Sequence, residues 1–182
     1  MTLRIAWFNE TPIQPDAKGQ LASEDAQVRQ RCLMPARTLE NADMECSVFG
    51  NMSDPDLTHV SHLLQKLRTQ IVVLRPFAGT SGLPLMRTAK HLGCYVVLDL
   101  GDGQTEQPEL EQLVALADYV VAADATVQAS GAHKLVIIPD CPPDALQHAG
   151  AVQAWRDMFA ELVKTPPLCA NNNNPDIAQD DA

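Results

Sequence analysis

The sequence predicts a single α/β domain: one doubly wound, Rossmann-like parallel sheet of about six strands with helices on both faces. Six short β-rich runs alternate with helical patterns, at 3–8 (LRIAWF), 44–49 (MECSVF), 70–75 (QIVVLR), 94–99 (CYVVLD), 118–122 (DYVVA) and 134–138 (KLVII). The later runs are continuously apolar rather than alternating, which is the pattern of strands covered on both faces. No short turn signal joins neighbouring runs, so hairpins are not expected and right-handed βαβ crossovers are.

The helices carry matching signals. Residues 24–40 form the first, with Val28, Cys32 and Leu39 on its apolar side; Pro35 inside it predicts a kink or break, and Asn41 ends it in the left-handed region. The second spans 55–68, capped by Asp54 with Pro55 in the first helical position and Leu57, Val60, Leu64 and Leu67 as its stripe. A third covers about 83–92 and closes on Gly93. A fourth starts near Pro108 with Leu110, Leu113, Val114 and Ala117 inward, and a short fifth covers about 125–130. The last begins at Pro143 and carries Leu146, Ala149, Val152, Trp155, Phe159 and Leu162, enough to pack back across the sheet. Pro166-Pro167 stops it. The polar stretch from Asn171 to Asn174 and the acidic end beyond lack the apolar content to order themselves, so 1–165 reads as the domain and 166–182 as a disordered acidic tail.

Composition removes several functions. A formal charge of -10 on 182 residues, without a basic cluster, opposes binding to nucleic acid or an anionic membrane surface. The apolar runs near Val96, Val120 and Ile137 are far shorter than a membrane span. The chain opens at once on strand-like Leu3 to Phe8, with no basic segment followed by an apolar one, so no signal peptide is expected and the protein reads as cytoplasmic. Its five cysteines, Cys32, Cys46, Cys94, Cys141 and Cys169, are scattered without a C-x-x-C pair and read as reduced thiols, Cys46 and Cys94 in the core. His59 and His62 can share a helix face, but no further ligand is spaced to complete a metal site.

In parallel sheets of this kind ligands bind beyond the carboxyl ends of the strands. That rule selects Asn9 and Glu10 after the first strand, ahead of the polar loop 11–23. It also selects Arg75 after the third strand, Asp99 and Asp102 after the fourth, Asp124 after the fifth and Asp140 after the sixth. One arginine then faces several carboxylates along one rim. Arg75 either pairs with Asp99 and holds two loops together, or grips a phosphate or carboxylate of a ligand by a bidentate contact. Asp99 and Asp102 read either as turn and cap residues around Gly101 and Gly103 or as groups that bind a divalent ion. No G-x-G-x-x-G follows the first strand, and the chain has no G-x-x-x-x-G-K-[ST] loop and no G-x-S-x-G elbow. The third strand ends in Arg75 where a phosphate-accepting receiver domain needs an aspartate. Thr11 is the only hydroxyl between Phe8 and Gly19, too few for a flavodoxin-type phosphate loop. No cofactor and no metal are therefore expected.

Four stretches resemble the N-terminal, acceptor-side domain of GT-B glycosyltransferases of the group one/four type. Arg31 to Leu39 followed by Met44 to Phe49 is similar to that family's helix and second strand, with Asn41 where a glycine is common. Ile71 to Arg75 resembles its strand ending in arginine, and Tyr95 to Asp102 its apolar strand ending in an acidic cluster. Ala117 to Val121 and Lys134 to Asp140 resemble its later strands, the second closing on Ile-Pro. The likeness covers about residues 3–140. Departures are Gly101 at an acidic position, Asp140 in place of asparagine, and Asn9-Glu10-Thr11-Pro12 in place of a glycine-rich loop. GT-B enzymes grip the nucleotide-sugar mainly through a second, C-terminal domain. The resemblance therefore implies an acceptor-side half that binds a carbohydrate acceptor or other small molecule and needs a partner subunit for sugar transfer. The alternative is a non-catalytic binding or protein-interaction module derived from the same fold, towards which the acidic tail and the missing half incline. It assigns no catalytic residue.

Overall fold

The computed structural model describes residues 2–75, 82–101, 109–127, 131–141 and 145–168, with the backbone alone for 145–147. Its centre is a six-stranded sheet of β1 (Leu3–Phe8), β4 (Met44–Phe49), β5 (Ile71–Leu74), β6 (Tyr95–Gly101), β7 (Tyr119–Ala122) and β8 (Leu135–Ile137) in the order β4-β1-β5-β6-β7-β8. Every neighbouring pair in it is parallel. The chain leaves β1 outward to β4, then returns past β1 and builds outward in the other direction from β5. The order therefore reverses between β1 and β5, the point at whose carboxyl ends sheets of this class bind ligands.

Each strand sends alternate residues to opposite faces. On one face Ile5, Trp7, Ile71, Val73, Val97, Tyr119 and Val121 meet two helical segments. The first segment runs through α1 (Ala26–Val28), a π-helical turn (Arg29–Leu33) and α2 (Met34–Leu39); the second is α6 (Ala145–Leu162). On the other face Ala6, Val72, Leu74, Val96, Leu98 and Val120 meet α3 (Leu57–Leu67), α4 (Gly82–His91) and α5 (Leu110–Leu116). The return of α6 is anchored by aromatic rings. Trp7 meets Trp155 edge-on with centroids 4.9 Å apart and Phe159 at 6.2 Å, contacts that add about 0.5–1.5 kcal/mol each to the burial of these large side chains. No helix among the described residues is long and apolar enough to cross a membrane.

Several local expectations are corrected. The loop after β1 contains a small antiparallel ladder, β2 (Gln14–Pro15) with β3 (Leu21–Ala22), where no hairpin was expected. Its turn is tied by Asp16, whose carboxylate accepts the backbone N–H groups of Lys18 and Gln20, with Gly19 at φ +74°. The first helix does not break at Pro35. It widens into the π turn just before it, the Met34 N–H reaching the Arg29 carbonyl. The wider turn gives room to a proline ring that would otherwise press on the carbonyl four residues back. Asn41 does not take the left-handed conformation; its side-chain oxygen accepts from the N–H groups of Asp43 and Met44 and turns the chain into β4.

Asp56, not Asp54, caps α3, accepting from Thr58 and His59, so Pro55 precedes the cap. Ala149 is exposed on α6, and Ala151 and Met158 join the buried stripe instead. The short helix expected near 125–130 is absent over 125–127, and 128–130 lie outside the described residues, as do Pro108, Pro143 and 169–182. Ahead of that last segment, the Leu168 N–H donates to the Asp118 carboxylate at 2.6 Å.

Candidate ligand mouth at the β1/β5 crossover

The inward face of the sheet changes chemistry at its carboxyl edge. Following the alternation, Ile5 and Trp7 are succeeded by Asn9, Ile71 and Val73 by Arg75, Tyr95 and Val97 by Asp99, and Val136 and Ile138 by Asp140. The register pairs Phe8 with Leu74 and Leu74 with Leu98, so Asn9, Arg75 and Asp99 follow as the next row across three adjacent strands. Asn9 and Arg75 flank the point where the strand order reverses. Parallel pairing thus gathers Asn9, Arg75, Asp99 and Asp140 at one edge, while their side chains divide into two groups.

The first group is a buried ion cluster centred on a residue that the rim reading omitted. Arg31, on the π turn, is 1% exposed and Asp99 0%. The Arg31 Nε donates to both Asp99 oxygens at 3.0 Å, and Nη2 donates to Oδ1 at 2.6 Å. Its Nη1 donates to the Ile138 carbonyl and to Asp140 Oδ1, both at 2.9 Å. Gln27 donates to the other Asp140 oxygen at 3.4 Å. Burial by itself lowers the Arg31 pKa, but the charges and hydrogen bonds of Asp99, then of Asp140, outweigh it and the guanidinium is held above its ordinary value. The proposed pairing of Arg75 with Asp99 is thereby corrected: the fork of Arg31 fills both carboxylate oxygens.

Asp99 also accepts the Gly101 N–H at 3.2 Å, so the turn reading of this aspartate holds. Gly101 sits at φ +59° beside an irregularity in the β6–β7 pairing, and a Cβ there would lie 3.4 Å from Arg31 Cδ.

The second group borders β1 and β5. Asn9 is 2% exposed; its Nδ2 lies 3.2 Å from Cys32 Sγ, and its Oδ1 is buried without a hydrogen-bond partner. Arg75 is half-buried, and its Nη1 is likewise buried without a partner. Both act on Cys32. Burial pushes its thiol up to about 12, while the Asn9 hydrogen bond and the Arg75 charge act in the opposite direction. The thiol is therefore protonated and unreactive at neutral pH.

Asp124 joins neither group. Glu10 is half-buried on the loop after β1. Asp124 is exposed and closes its own turn, with the Thr126 hydroxyl and N–H holding its carboxyl below the ordinary value. Asp102 lies outside the described residues, and the divalent-ion alternative loses Asp99, whose oxygens serve Arg31. Among the described residues no group of three histidine, cysteine or carboxylate side chains is placed to hold a metal. Three cavities lie around the β2–β3 hairpin, of about 330, 560 and 370 Å³; the first and third share Leu21, Leu33 and Arg37 as walls.

Sequence reasoning passed over Arg31, Cys32 and Gln27 as site residues. The available signal was Arg31 itself: three residues after Val28, on the apolar side of its helix, it is a charge that must find a buried partner. Compared with protein-family models and with curated proteins, the chain gives no match.

Proposed function

We propose that the chain is an acceptor-side domain of the GT-B glycosyltransferase type, binding a carbohydrate or related small molecule in the β1/β5 mouth. Transfer of a sugar then requires a second, donor-gripping unit, in keeping with the family resemblance. The observation that carries this reading is that the Asn9 oxygen and an Arg75 N–H are both buried without a partner, on residues that directly follow the paired Phe8 and Leu74 at the crossover. An open acceptor next to an open donor suits hydroxyl-rich ligands, each hydroxyl being both. Four free cysteines among the described residues fit a reducing, cytoplasmic setting.

A second reading is a non-catalytic binding module of the same fold. It is favoured by the fate of the carboxylates: Asp99 and Asp140 are both committed to Arg31, which leaves neither as a free general base. Calorimetric titration of the chain with nucleotide-sugars and, separately, with oligosaccharide acceptors tests the proposal. Heat from acceptors and none from donors is the expected outcome. Tight donor binding by this chain alone contradicts the acceptor-side assignment, and heat from neither class favours the interaction module.

A further inference from the structure

The two fully buried cations have counter-charges, whereas half-buried Arg75 at the mouth, like Arg156 on α6, keeps a buried nitrogen without a hydrogen-bond partner. Arg31 is met by Asp99 and Asp140, and Lys90 by Asp118 at 2.6 Å. Arg75 has no carboxylate within ion-pair distance among the described residues, although it ends an apolar strand and keeps Nη1 away from solvent. The nearest carboxylate by register, Asp99, is already engaged by another arginine. Cys32, on the other side, is a protonated thiol and supplies no charge. A guanidinium with a dehydrated, unmatched N–H is unfavourable unless something else delivers the acceptor. Arg75 would thus be completed by an anion arriving from outside, while the adjoining Asn9 Oδ1, an acceptor, calls for a hydroxyl donor on the same molecule.

We infer that the mouth selects a hydroxylated anion, a sugar acid or a sugar phosphate, whose carboxylate or phosphate oxygens bind Arg75 while a hydroxyl donates to Asn9. The inference rests on the reading that this mouth binds a small ligand and adds the charge of that ligand.

The test uses the full chain and four probes: glucuronate, glucose 6-phosphate, glucose and inorganic phosphate. Affinity is measured by calorimetry and stability by thermal unfolding. At least one of the two sugar anions is expected to bind about tenfold or more tighter than glucose and than phosphate, since an ionic hydrogen-bond pair contributes at least that factor. Which sugar anion wins identifies the carboxylate or the phosphate as the recognised group. Arg75→Gln is expected to lose about tenfold or more in affinity for that anion while the unliganded protein melts at the same temperature or higher, because an unmatched charge has been removed. Arg75→Lys keeps the charge without the planar fork and is expected to bind with intermediate affinity, which preserves the test if the glutamine variant folds poorly.

Glucose binding as tightly as the anions overturns the inference and leaves the mouth reading intact. Arg75→Gln that destabilises the unliganded protein and leaves anion affinity unchanged makes Arg75 a structural residue and also overturns it. No binding by any of the four probes overturns both.

Discussion

Arg31 and Asp99 meet through Nη2 and Oδ1 at 2.6 Å, with side chains 0% and 1% exposed, and so join the π turn of the first helix to the carboxyl end of β6. Removing one partner strands the other charge in a dry interior. Arg31→Met is expected to lose about 3–5 kcal/mol of stability in urea unfolding, and the double variant Arg31→Met/Asp99→Leu to recover much of that loss. A double variant no more stable than the single one contradicts this account of the pair.

Gly50 follows β4, and a Cβ built on it would lie 2.8 Å from both the Ile13 nitrogen and the Thr11 carbonyl oxygen. Both neighbours are backbone, and they belong to the loop that leaves β1 just past Asn9. Gly50→Ala is expected to cost about 1–3 kcal/mol by urea unfolding, since the loop must move to admit a methyl group. An unchanged midpoint would show that this loop is loosely held.

Burial raises the thiols from 9.0 to about 12 at Cys32 and Cys46 and to about 11 at Cys94 and Cys141. Below pH 9 these thiols are protonated in both states, so this contribution to stability is fully present. From pH 9 up to about 11 for Cys94 and Cys141 and about 12 for Cys32 and Cys46, the unfolded chain releases protons that the native state retains, and stability falls as pH rises, by up to about 1.4 kcal/mol per pH unit for each thiol. Unfolding midpoints measured from pH 8 to 10.5 are expected to decline above pH 9. At pH 8, native labelling of these four cysteines should be slow and become fast on unfolding.

At the opposite edge of the sheet, the Asp118 carboxylate accepts Lys90 Nζ, the Val96 N–H and the Leu168 N–H, each at 2.6 Å. Asp118→Ala is expected to lose about 3 kcal/mol or more and to bring proteolytic cleavage near Leu168 at lower protease concentration. Cleavage at unchanged protease levels would show that Asp118 does not hold this segment.

The legible part of the fold is the part governed by apolar patterning. The runs 44–49, 70–75 and 118–122 lie within a residue or two of the strands, because buried parallel strands have few ways to pair without exposing their faces. Local polar chemistry was harder to read. Asp54 and Asp56 flank the same proline and look alike as caps, and the choice between them depends on how the chain leaves β4. The hairpin at Gln14 and Leu21 has too few residues to show alternation. In the mouth, Asn9, Arg75, Asp99 and Asp140 were recognisable as strand-end residues, whereas their partners were not. Arg31 reaches Asp99 from 68 positions away in sequence and Asp140 from 109, and only the sheet order brings them together.

The most direct measurement is a two-dimensional amide spectrum of isotope-labelled chain during titration with the sugar anion that binds best. Occupation of the β1/β5 mouth predicts the largest shifts at Asn9, Cys32, Arg75 and Gly101, with Leu21 and Arg37 at the hairpin cavities and Leu168 at the far edge unmoved. Shifts concentrated around Leu21 and Arg37, with Asn9 and Arg75 silent, would place the ligand under the hairpin and contradict the mouth.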